Sequence, residues 1–77
     1  MTWDYRVMKF VDGEGTVSFM VHEVYYAFDG SLDTYTEDGC SPYGETLEEL
    51  AADLKRFAEA FTKPVLTPAD FNKEKVQ

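Results

Sequence analysis

The sequence predicts an α+β domain: a three-stranded antiparallel meander, one amphipathic helix and a short fourth strand, in the order β-β-β-α-β. Three observations point there. The first half of the 77-residue chain is rich in β-branched and aromatic residues and is cut by two turn signals, Asp12-Gly13-Glu14-Gly15 and Asp29-Gly30. Such turns join antiparallel strands. The second half carries a run with apolar residues at i, i+3, i+4 and i+7, the spacing of one helix face. Residues 38–45, DGCSPYGE, separate the halves with two glycines and a proline, a loop composition.

Each element follows from its residues. WDYRVMKFV at 3–11 reads as the first strand, with imperfect polar alternation. VSFMVHEVYYAF at 17–28 reads as a longer second strand and LDTYTE at 32–37 as a third. Thr46-Leu47-Glu48-Glu49 is a capping box, the Thr hydroxyl accepting from the backbone three residues on while Glu49 reaches back. Leu47, Leu50, Ala51, Leu54, Phe57, Ala58 and Phe61 form the apolar helix face. Acids in the first turn, and Lys55, Arg56 and Lys63 toward the other end, suit the helix dipole. Pro64 stops the helix near Thr62. Val65-Leu66 supplies the fourth strand at the sheet edge, and Thr67-Pro68-Ala69-Asp70 a single helical turn with a Thr cap. The expected domain spans residues 1–77, with a core at 3–66 and a short turn and loose tail at 67–77.

Composition narrows the function. Twelve aromatic residues argue against disorder. The chain starts Met-Thr-Trp-Asp, with neither a basic stretch nor an apolar signal core, and no apolar run approaches a membrane span. We therefore expect a cytoplasmic protein with no membrane partner, and the single cysteine, Cys40, agrees. The net charge is −8, and no Lys or Arg lies between Lys9 and Lys55. Such a surface repels nucleic-acid phosphates and attracts a basic protein.

Chemistry is sparse. His22 is the lone histidine, with no nucleophile paired to it in the sequence. Cys40 sits beside Glu37 and Asp38, which disfavour a thiolate. No zinc motif, phosphate loop or hydrolase elbow is present. The expectation is a non-enzyme without cofactor or metal. Both faces of the second strand are substantially apolar: Val17, Phe19, Val21, Glu23, Tyr25 and Ala27 on one, Ser18, Met20, His22, Val24, Tyr26 and Phe28 on the other. One helix covers one face of a small sheet, so the other must meet the C-terminal tail, a second copy or a different protein. A homodimer is the most economical of these. The candidate interface residues are Met20, His22, Val24 and Tyr26 on the sheet and Glu48, Glu49 and Asp53 on the helix.

The loop and helix start carry a resemblance. Gly39-Cys40, three intervening residues, Gly44-Glu45-Thr46 and then Glu48-Glu49 resemble the HicB-like antitoxin domain. That family has a Gly-Cys pair followed by Gly-Asp-Thr-x-Glu-Glu at the same spacing. Glu45 replaces the family's Asp, Asp38 stands where Pro is common, and Leu50 where Ala is common. The resemblance covers residues 3–66. It implies a partial ribonuclease-H-like fold without catalytic residues, self-association, and masking of a small basic RNase toxin. No ribbon-helix-helix or helix-turn-helix segment follows, so DNA-bound autoregulation is not implied. The competing reading is a small phage-type inhibitor whose carboxylates imitate nucleic-acid phosphates and occupy a host nucleic-acid-binding protein.

Overall fold

In the computed structural model, which describes residues 2–71, the chain runs through β1 (Thr2–Val11), β2 (Val17–Tyr26), β3 (Leu32–Tyr35) and α1 (Leu47–Ala60) to a 3-10 turn at Pro68–Phe71. The sheet is an antiparallel meander in the order β1-β2-β3, as expected. The β1–β2 turn is built by Asp12. Its Oδ1 accepts from Glu14 N and Thr16 N, both at 2.9 Å, and Gly15 sits at φ +86°, a conformation open to glycine.

β2 and β3 are shorter than the sequence suggests. The turn through Asp29 takes Ala27 and Phe28 out of the strand, with Ser31 bonded to Asp29 through both backbone and hydroxyl. β3 pairs Val24 with Tyr35, Tyr25 with Thr34, and Tyr26 with Leu32, so Asp33 bulges. Without the bulge Leu32 and Tyr35, three residues apart, would face opposite sides. With it, both join one apolar cluster.

The α1 cap forms as expected at Thr46, whose Oγ1 accepts from Glu49 N at 3.1 Å. The returning Glu49 carboxylate bonds Glu45 N at 3.0 Å, one residue before the cap. No basic residue lies in the last turn of α1. Lys63 instead reaches Asp4 at 2.6 Å, and Arg56 turns back to Asp53 at 3.4 Å. The fourth strand is reduced to one parallel bridge, Leu66 to Met8, with Lys9 N→Leu66 O at 2.8 Å and Leu66 N→Val7 O at 3.0 Å.

The core has two halves, one on each side of the sheet. On the helix side Val7 and Val21 pack with Phe57 and Ala60. On the other side Met8 and Val24 pack with Leu66 and Phe71, joined by Phe10, Tyr26, Leu32 and Tyr35. The 3-10 turn is therefore part of the core, not an appendage to it. Thr67 N→Asp70 Oδ2 at 2.8 Å and Asp70 N→Thr67 O at 2.9 Å hold it closed, and Phe71 stacks edge-on against Tyr35 at 4.8 Å. The loose tail expected at 72–77 lies outside the described residues.

Candidate protein-binding surface

The surface of interest begins with the rotation of α1. The seven apolar residues form an arc of about 120°, an ordinary width for a core-facing stripe, but the helix is rotated away from its centre. The helix turns Asp53, Phe57 and Ala60 inward and leaves Leu47 78%, Leu54 57% and Phe61 70% exposed. Asp53 explains the choice. Its Oδ2 accepts from Tyr43 N at 2.9 Å and its Oδ1 from the Tyr5 hydroxyl at 3.3 Å. A carboxylate in a nearly closed site needs such donors, and meeting them fixes which flank of the arc faces β1. Tyr5 stacks on Phe57 at 4.5 Å. Its hydroxyl pKa is raised, first by burial and then by the negative Asp53 beside it.

The outward stripe of Leu47, Leu50, Leu54 and Phe61 runs into an apolar groove. Phe61, Phe19, Met20, Val7 and Val21 line this groove, about 220 Å³ in volume. Phe19, Val17 and Met20 are each about half exposed or more. A second cleft of about 340 Å³ lies between Trp3, Tyr5 and Ala60. Its rim charges are largely spent on partners of their own, Lys63 with Asp4 and Arg56 with Asp53.

The expected interface residues are split by this arrangement. Val24 is wholly buried and His22 is 2% exposed. The 3-10 turn and β3 cover the face expected to meet a partner. His22 and Val24 are core residues, and this corrects the sequence reading of that face. Tyr26 is half-buried, its hydroxyl donating to Asp4 Oδ1 and accepting from Arg6 Nη1, both at 2.8 Å. Asp53 is also inside, as a structural acceptor. Met20, Glu48 and Glu49 are exposed. Among the described residues no Lys or Arg pairs with Asp33, Glu37, Asp38, Glu48 or Glu49. Leu47, Leu50, Leu54 and Phe61 were legible only as core positions. The apolar arc has the ordinary width of a core-facing stripe, so the sequence carried no signal that part of it is left outside.

His22 Nδ1 lies 2.8 Å from the Thr36 carbonyl; a carbonyl only accepts, so Nδ1 is the donor. His22 Nε2 is buried with no hydrogen-bond partner among the described residues, as is Arg6 Nε. Cys40 packs against the helix-side cluster. Among the described residues no group of three His, Cys, Asp or Glu gathers as for a metal ion, and no helix is long and apolar enough to cross a membrane. Compared with models of protein families, with characterised proteins and with solved structures, the chain matches none.

Proposed function

We propose that this chain is a non-catalytic protein-binding module of the HicB-like antitoxin kind, and that it docks a small basic protein on the outward stripe of α1. The observation that carries the reading is the exposure of Leu47, Leu50, Leu54 and Phe61 on one helix face. Isolated exposed leucines need no explanation, but a contiguous stripe does. Glu48 follows Leu47 and Glu49 precedes Leu50, while Lys55 follows Leu54, so acidic charge borders the N-terminal end of the strip and suits a partner with the opposite charge there. The Gly39-Cys40 and Gly44-to-Glu49 pattern supports the family assignment.

The experiment is calorimetric titration of the chain, at two salt concentrations, with a small basic RNase of the kind that HicB-like antitoxins mask. Wild type should bind, and should bind more weakly at high salt. Leu54→Lys should lose about tenfold or more in affinity while unfolding at an unchanged midpoint, because the side chain is already outside. A failure of the wild type to bind, or Leu54→Lys binding as tightly as wild type, refutes the docking surface. Displacement of the partner by added RNA would favour the phosphate-mimic reading.

A further inference from the structure

The edge of the sheet beside β3 is only partly covered. In β2 the odd-numbered residues turn their backbone groups toward β3. Val21 O accepts from Cys40 N at 2.8 Å, Glu23 O accepts from Thr36 N at 3.0 Å, and Tyr25 pairs with Thr34. Val17 and Phe19 share that parity, and β1 faces them only as non-bonded pairs, Val11 with Val17 and Lys9 with Phe19. The covering segment stops at Cys40. Among the described residues no backbone group beyond Cys40 bonds the N–H and C=O of Val17 and Phe19, an open ladder two rungs long beneath two exposed apolar side chains. An open edge of this kind is a template for another strand.

We infer that this edge receives a second copy of the same chain, β2 against β2 and antiparallel about a two-fold axis at Ser18. That register sets Val17 of each copy opposite Phe19 of the other. Each such pair exchanges both of its hydrogen bonds, so all the open groups are satisfied at once. A shift of two residues in one direction drives Val21 against the Cys40 segment, and a shift in the other pairs the turn glycine Gly15. The axis is perpendicular to the sheet, so both helices stay on one side. The two β1 strands come to lie roughly 14 Å apart, three strand spacings. Phe19 and Phe61, which line one groove, then meet their counterparts over the junction. Aromatic side chains carry about 150–250 Å² each. Phe19 is 58%, Phe61 70%, Val17 48% and Met20 48% exposed, so with the paired backbone each copy covers on the order of 400–500 Å², the size of a weak, concentration-dependent contact. The pairing uses none of Leu47, Leu50 or Leu54 and shares only Phe61 with the stripe proposed for the partner of α1.

The test is solution mass by light scattering over a concentration series, on the full chain. Wild type should reach twice the chain mass. Val17→Pro removes an N–H that no internal bond uses, at the first position of a strand where proline is tolerated. It should be monomeric, with unchanged circular dichroism and thermal midpoint. Ser18→Cys in a Cys40→Ala background places two thiols across a non-bonded pair with Cα atoms about 4.5 Å apart, and mild oxidation should yield a covalent dimer. A wild type that stays monomeric, a dimer that survives Val17→Pro, or Ser18→Cys chains that do not cross-link overturn the inference. Salt separates the two proposals. Two chains of charge −8 repel, so added salt should strengthen the dimer, whereas it weakens the grip on a basic partner.

Discussion

Replacing Phe71 by Ala tests whether the second face of the sheet is closed by this chain's own C-terminal turn. Phe71 is 6% exposed and packs with Met8, Val24 and Leu66. Its ring meets Tyr35 edge-on at 4.8 Å. A buried Phe→Ala change costs about 3–5 kcal/mol from lost transfer energy and the cavity left behind, with about 0.5–1.5 kcal/mol of ring-pair energy included in that loss. A domain of this size has roughly 4–12 kcal/mol of stability in total. The substitution should therefore remove about a quarter or more of it and lower the thermal midpoint by about 12 °C or more. Urea unfolding followed by tryptophan fluorescence and far-ultraviolet circular dichroism measures it. A loss below about 1 kcal/mol, the size expected of a surface change, would show that Phe71 does not cover the sheet. Val24 would then again be a candidate for intermolecular contact.

Three further outcomes follow from the same contacts. Asp53→Ala leaves Tyr43 N–H without its acceptor and should cost about 1–3 kcal/mol in urea unfolding, with faster amide exchange at Tyr43; protection unchanged from wild type would refute the role given to Asp53 in setting the helix rotation. Tyr5 and Tyr26 hold their protons above the usual range, chiefly through burial. In the unfolded chain they ionise near pH 10, so their contribution is intact below about pH 10 and lost as pH rises toward their folded values. The urea midpoint should fall in that window, less steeply for Tyr5→Phe; equal slopes would refute the assignment. The two glycines of the loop should differ. A Cβ on Gly44 would collide with backbone at Leu50 N and Glu49 C, whereas one on Gly39 meets mainly the mobile end of Met20. Gly44→Ala should cost about 1–3 kcal/mol and Gly39→Ala clearly less, by thermal unfolding of both.

Much of the architecture is written in local sequence. The strand pairs are joined by turns whose chemistry is short-range: Asp12 folding over Glu14 and Thr16, Asp29 over Ser31. The Thr46 cap and the Thr67–Asp70 turn bond within three residues. Each of these needs only neighbours along the chain, so residue type and spacing suffice to predict it. That is why the meander, the helix and the single turn after it could be read in order.

What lay beyond the sequence were the decisions made between elements. Alternation showed that both faces of β2 are apolar but not what covers each, because period two is blind to the partner. The bulge at Asp33 put Leu32 beside Tyr35, and Phe71, more than thirty residues on from β3, closed the face that held His22 and Val24. The rotation of α1 depended on a carboxylate bonding to Tyr43 and Tyr5, the second of these 48 residues away along the chain. The sequence by itself determined which residues are apolar and which elements they build. The tertiary structure decided which of those residues are core and which are left for another molecule, because burial depends on contacts between segments that no local pattern encodes.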